Sequence, residues 1–289
     1  MIDIVIPWVN PNDNEWQKDY NYWKEKETGE KNPCRFRDLE TFNYWFRAIE
    51  KNCPWYRYIF LILASPSQIP SWLNVNHPRL KIVYHKDFIP LKELPTFNSS
   101  VINCYVPFIK ELSDKYILFN DDMFAVKPLK HEMFFKENYV VGTYTNDINN
   151  NSKDYWNNNL RNGYAIFRKF SGCNICYRPD HGVMPCNKNV NLFAWNKVGN
   201  DISKALENSK FRTAKNVTDW RFWGFHYLVH NVIDGKSLTQ YYNRIDKFNS
   251  NKEIFCFNDN ESLKDFNSFK TAVINFLKNK FPNKSEFEK

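Results

Sequence analysis

Tyr116-Ile117-Leu118-Phe119-Asn120-Asp121-Asp122-Met123-Phe124 is the stretch from which the fold is read. Its apolar run predicts a short buried strand, and two adjacent carboxylates stand where that strand should end. In open α/β sheets, ligand sites form beyond the carboxyl ends of the strands. Two carboxylates there, beside an Asn amide, suit a divalent cation or a reacting hydroxyl. The same residues also make an ordinary polar turn after a strand, and spacing alone leaves both readings open.

Working outward, buried strands alternate with helical patterns. Ile2–Ile6 reads as a first strand, followed by the turn-rich Pro7-Trp8-Val9-Asn10-Pro11. Residues 14–31 read as an exposed helix and loop. Leu39, Phe42, Phe46 and Ile49 form one helical face, with Asp38 as the expected N-cap and Pro54 as the stop. Strands are expected over 58–64 and 80–84, and a helix from Phe97-Asn98 to about Leu112. Later come an expected strand over 140–144, an Asn-rich loop over 146–159, helices over 201–208 and 217–233, a strand at Ile254–Phe257 and a final helix through Phe266, Phe269, Val273 and Phe276. Asn258-Asp259-Asn260 after that strand echoes Asn120-Asp121 and is expected either to cap the last helix or to join the acidic site. This alternation predicts an α/β fold with a mostly parallel sheet and flanking helices. A single domain is expected over 1–289, with residues 1–130 and 131–289 as its two halves.

Composition narrows the function. With 25 Phe, 16 Tyr and 10 Trp in 289 residues, the chain is too aromatic to be disordered. Only 8 Gly, with no P-loop and no GxGxxG, argues against a glycine-rich phosphate cradle. The net charge of +8 suits anionic partners, but the basic residues are dispersed and no nucleic-acid-binding signature appears, so nucleic acid is not an expected partner. Seven scattered Cys point to a reducing compartment. Cys173, Cys176, Cys186 and His181 would make a zinc set, though their spacing fits no standard finger. No apolar run is long enough to span a bilayer and no signal peptide is read, so a cytoplasmic location is expected.

Several separate stretches, taken in order, resemble the Stealth family of bacterial capsule and wall-polysaccharide phosphotransferases, which includes the animal lysosomal-enzyme GlcNAc-1-phosphotransferase. They are Ile2–Asn10; Arg35-Phe36-Arg37-Asp38 through Glu50; Pro54-Trp55; Gln68–Leu73; His77-Pro78-Arg79; Leu94–Ser99; Asn120–Phe124; His181–Pro185 with Phe211-Arg212; and Phe255–Asn260. Asn103 stands where the family usually has Glu.

The resemblance implies transfer of a hexose-1-phosphate, such as GlcNAc-1-phosphate, from a UDP-sugar to a sugar hydroxyl in a capsular or cell-surface polysaccharide. It implies a nucleotide-sugar-binding domain of glycosyltransferase-A type. Carried over by position, Asp122 and His181 are the candidate catalytic pair and Arg212 the phosphate binder. Trp8, Arg35, Asp38, Asn98, Asn120 and Asp121 would line the substrate site. Mg²⁺ or Mn²⁺ is the expected cofactor, on Asp121, Asp122 and Asp259. A glycan or lipid-linked oligosaccharide is the expected acceptor, met at the inner face of the membrane. Two other readings stay open: a metal-dependent glycosyltransferase using Asn120-Asp121-Asp122 as a DxD-like site, and a non-catalytic module binding an anionic glycan.

Overall fold

The structure, a computed structural model, describes residues 1–142, 144–145, 153–174, 178–179, 182–218, 225–226, 228–259 and 263–289. In chain order the first half holds β1 (Ile2–Pro7), α1 (Asn14–Lys26), α2 (Phe42–Asn52), β2 (Ile59–Leu63), β3 (Leu80–Tyr84), α3 (Ser99–Tyr105), β4 (Lys115–Leu118) and β5 (Met123–Ala125). Then follow β6 (Phe135–Lys136), β7 (Tyr139–Gly142), β8 (Tyr144–Thr145), α4 (Tyr155–Ser171), β9 (Arg178–Pro179), β10 (Met184–Asn187) and α5 (Lys188–Leu206). The last elements are β11 (Val232–Asp234), β12 (Thr239–Tyr242), β13 (Ile254–Phe257) and α6 (Phe266–Lys280).

The main sheet has the order β10-β4-β1-β2-β3. β4, β1, β2 and β3 are parallel, and β10 closes the edge antiparallel to β4. This is the expected α/β architecture with a mostly parallel sheet. β2 is an unbroken apolar run because both its faces are covered; every residue of it is buried, as are Ile4, Val5 and Ile6 of β1. After β1 the chain builds β2 and β3 to one side and then returns to place β4 on the other. The strand order therefore reverses between β1 and β4, and the crevice at their carboxyl ends is the topological switch point. A smaller sheet, β12-β13-β5, pairs β13 antiparallel with β5.

Several boundaries differ from the sequence expectation. Asp38 does not cap α2; it accepts from the Glu40 N–H, and the helix starts later, after Thr41. α3 ends at Tyr105 rather than near Leu112, because Pro107 lacks the N–H that would continue it and the chain turns tightly over Val106–Phe108. Asn157–Asn159 lie inside α4, which Asp154 caps through the Asn157 N–H, so the Asn-rich run is helical from Tyr155 onward. The helix expected over 201–208 is the last turns of the longer α5. In the expected 217–233 helix, Val217 and Thr218 are not helical and Val232–Asp234 is strand; residues 219–224 and 227 lie outside the described residues. Among the described residues, no helix is long and apolar enough to cross a membrane.

Candidate active site

Parallel register places the acidic pair. Val5 pairs with Leu118, and Phe119 N–H donates to the Val5 carbonyl at 2.9 Å, so Asn120 falls level with Pro7. Trp8 is tied to the same edge by its N–H on the Ile62 carbonyl, 3.0 Å. Asn120 is exposed there, and Asp121 and Asp122 are half-buried. The Trp8 ring lies stacked on Phe42 of α2, centroids 4.8 Å apart, which makes it a wall of this edge.

The echo in sequence between Asn120-Asp121 and Asn258-Asp259 becomes contact in space, because β13 runs antiparallel to β5. Phe257 N–H donates to the Asp122 carbonyl at 2.9 Å. Asn258 Nδ2 and Cys256 Sγ both donate to Asp122 Oδ2, at 3.3 and 3.4 Å. Burial, followed by the charge of Asp122, lifts the Cys256 thiol well above its ordinary value, so it stays protonated and can donate. Asp122 is thus oriented by a strand that lies far away in sequence.

Burial pushes the Asp121 carboxyl up to about 7, reinforced by the charges of Asp122 and then Asp38. Burial also raises Asp38. Three carboxyl groups from two segments therefore share one electrostatic environment. The expected further ligand, Asp259, is held by Arg37 instead: Nε and Nη2 meet its oxygens at 2.6 and 2.5 Å, and the guanidinium lies over the Phe266 ring. Among the described residues, no three His, Cys, Asp or Glu side chains form a group that could hold a metal ion unaided. The adjacent carboxylates of Asp121 and Asp122 still fit Mg²⁺, which is commonly bound by one or two carboxylates plus substrate phosphates. Of the zinc candidates, Cys186 is buried in β10 with its Sγ toward the Met184 carbonyl. Cys176 and His181 lie outside the described residues.

The guanidinium candidates meet each other at Glu30. Arg35 donates to Glu30 Oε1 through Nε and Nη2, at 3.0 and 2.8 Å. Arg212 Nη1 stands 3.5 Å from Glu30 Oε2, and its Nη2 donates to Ser99 Oγ at 2.8 Å. Asn98 is buried: it caps α3 through the Ser100 N–H and donates to Asn216 Oδ1 at 2.9 Å, so it pins the Arg212 segment to α3. Aromatic packing assembles the group. Trp16 and Tyr20 of α1 pack on Phe36 and Phe97, and Phe97 stacks on Phe211 at 5.2 Å.

The pairing of Met184 with Leu118 brings Val183 and Gly182, just before β10, alongside the edge that carries Asp121. Glu30, Ser99, Arg37 and Cys256 escaped the sequence reading of the site, whereas Asn258 joins it as its echo of Asn120 allows. Glu30 had no such signal, lying in a charged stretch that reads as solvated surface.

Comparison with known proteins follows this geometry. The model of Stealth protein conserved region 2 matches residues 35–142. Capsular polysaccharide phosphotransferase WcwK of Streptococcus pneumoniae is 33% identical, the alignment covering 100% of this chain and 99% of that protein. The chain belongs to the Stealth family. Other relatives of this Stealth protein include capsular polysaccharide phosphotransferase fcs1 of Haemophilus influenzae, 31% identical over 93% of this chain and 82% of that protein. Exopolysaccharide phosphotransferase cps2G of Lactiplantibacillus plantarum is 29% identical over 100% and 96%. A solved structure of galactosyltransferase LgtC in complex with donor and acceptor sugar analogs aligns over 98% of each chain at a TM-score of 0.48 and 10% identity.

Proposed function

We propose that this Stealth protein is a phosphotransferase of capsule or cell-surface polysaccharide synthesis that moves a hexose-1-phosphate from a UDP-sugar to a sugar hydroxyl. The acceptor oxygen attacks the sugar-bearing phosphorus of the donor. The bond from that phosphorus to UMP breaks, and a phosphodiester forms. The hydroxyl proton passes to Asp122 or His181, and the departing UMP carries away the bridging oxygen. Such a reaction needs charge neutralisation and alignment more than covalent help. The observation that carries the reading is the gathering of Asp38, Asp121 and Asp122 at the switch point of a sheet whose chain matches named capsular polysaccharide phosphotransferases end to end.

Each residue has a task in this reading. Trp8 and Asn120 border the donor at the β1 and β4 edges. Asp122, held by Cys256 and Asn258, presents its carboxylate in one orientation. Arg212 and Arg35 grip phosphate oxygens, as guanidinium forks do. A Mg²⁺ or Mn²⁺ ion on Asp121 and Asp122 would offset charge on the diphosphate. Ionising Asp121 next to Asp122 is unfavourable, and a cation held between them would offset that cost. Residues 1–130 would form the nucleotide-sugar-binding half and 131–289 the catalytic and acceptor half, the acceptor being a glycan or lipid-linked oligosaccharide met at the cytoplasmic face of the membrane.

The test is product analysis. Phosphorus NMR on reactions with a panel of UDP-sugars and a polysaccharide acceptor should show a phosphodiester resonance together with released UMP. Release of UDP with a glycosidic product would assign a glycosyltransferase instead. Glycan binding with no nucleotide release would leave a binding module.

A further inference from the structure

Glu30 lies between two arginines from distant parts of the chain, and nothing in the reaction above uses it. Its Oε1 takes the whole Arg35 fork, and its Oε2 faces Arg212 Nη1 at 3.5 Å. Ser99 holds the other arm of Arg212. The Glu30 and Arg212 side chains are only 15% and 13% exposed, so both are fixed by surrounding protein rather than waving in solvent.

The main chain fixes the carboxylate as well. Glu30 N–H donates to the Arg212 carbonyl at 2.8 Å. The residue before it, Gly29, has φ +136, and a Cβ there would stand 2.8 Å from Phe211 Cβ and 2.9 Å from the Arg212 carbonyl oxygen. Glycine alone allows the two stretches of chain to approach this closely. The segment carrying Glu30 is thus bolted to the segment carrying Arg212.

We propose that Glu30 is the positioning residue for the phosphate grip: it orients the guanidiniums of Arg212 and Arg35 before the donor arrives. This rests on the reading of Arg212 as a phosphate binder. An unrestrained Arg gives up much rotamer entropy when it grips a ligand, and a fork already held in place gives up less. One carboxylate among two guanidiniums leaves the trio with a net positive charge, so the site still attracts an anion. The 3.5 Å separation of Nη1 is an ion-pair distance rather than a tight hydrogen bond, so an arriving phosphate oxygen can compete for that N–H. A carboxylate that merely occupied the phosphate position would have to leave on binding, and the Gly29–Phe211 packing gives its backbone nowhere to go.

The experiment is calorimetric titration of UDP, with Mg²⁺ present, into the full chain and into Glu30→Gln, Arg212→Ala and the double variant, with thermal midpoints recorded for each. Arg212→Ala should weaken UDP by roughly a hundredfold and Glu30→Gln by about tenfold, while the Glu30→Gln loss should shrink to roughly two- to threefold once Arg212 is gone, because only Arg35 is then left to orient. If Glu30→Gln does not fold, Glu30→Asp takes its place, with a loss of roughly two- to fivefold that again shrinks in the Arg212→Ala background. If Arg212→Ala itself leaves UDP binding unchanged, the phosphate-binding reading fails. If Arg212→Ala weakens UDP but Glu30→Gln binds it as tightly as wild type or more tightly, the positioning role alone fails. That role fails equally if the Glu30→Gln loss persists undiminished without Arg212.

Discussion

Replacing Asp121 with Asn should stabilise the metal-free protein above neutral pH while abolishing its activity. In the folded chain, burial, Asp122 and Asp38 raise the Asp121 carboxyl from 3.8 to about 7. Between those values the folded state holds a proton that the unfolded state has released. Stability then falls with rising pH by about 1.4 kcal/mol per unit. The contribution is complete below 3.8 and lost as pH climbs through 7. Over about 3 units the ceiling is about 4 kcal/mol, and partial exposure at the sheet edge makes about 2 kcal/mol a realistic figure. An asparagine side chain in that place has no proton to lose, so this loss should vanish. The assay is urea unfolding from pH 5 to pH 8 with a chelator present. The advantage of Asp121→Asn over wild type should widen by about 1–2.5 kcal/mol across that range, because only the part from pH 5 to about 7 carries the extra proton. Adding Mg²⁺ at pH 8 should then stabilise wild type and leave the variant unmoved, because a cation that binds the folded site adds RT ln(1 + [L]/Kd) only where its protein ligand exists. A pH-independent difference between the two proteins would refute the shared electrostatics of Asp38, Asp121 and Asp122. A Mg²⁺ response equal in both would remove Asp121 from the metal site.

Other outcomes follow from the same geometry. Asp122→Ala and His181→Ala should each reduce UMP release by more than about a hundredfold with circular dichroism unchanged; activity within about tenfold of wild type would strip the residue of its role. Asp3 is buried and accepts from Arg57 Nε, Arg57 Nη2 and the Ser113 N–H, at 2.8, 2.5 and 2.7 Å. Asp3→Ala strands these donors and should cost about 3–5 kcal/mol in urea unfolding, with a cost below about 1 kcal/mol counting against the network. Gly29→Ala puts an L residue at positive φ against Phe211 and should lower stability by at least about 2 kcal/mol, read as a shift of the urea midpoint. His85 is buried, and its imidazole is driven down from 6.5 to about 4. The unfolded chain takes up a proton first as pH falls through 6.5, so stability drops between 6.5 and 4; His85→Gln should flatten that limb of the pH–stability curve.

The strands of the main sheet were legible because a parallel strand buried on both faces reads as a run of apolar residues, as Ile59–Leu63 does; Asp3 and Lys81 interrupt the neighbouring runs without hiding them. β3 and β13 match their expected spans, and the acidic pair sits at a strand end as read. Helix boundaries were less legible. Asp38 looks like a cap, but the turn it makes to Glu40 is equally natural for Asp, and local sequence cannot choose between them. Pro107 was a visible stop that the apolar run after it concealed. The Asn run at 157–159 has poor helix propensity, yet the apolar face of α4, with Leu160 and Phe167 buried, overrides it.

The sequence by itself determined the order of the strands along the chain, the apolar segments that had to be covered, and which side chains had the chemistry to hold a phosphate or take a proton. Only the tertiary structure decided who meets whom: Asp259 with Arg37, Cys256 and Asn258 with Asp122, and Glu30 with both Arg35 and Arg212. The physical reason is range. Burial and periodicity are properties of neighbouring residues, whereas the partner of a charge is set by strand register and chain crossing, which bring together segments that share no local signal.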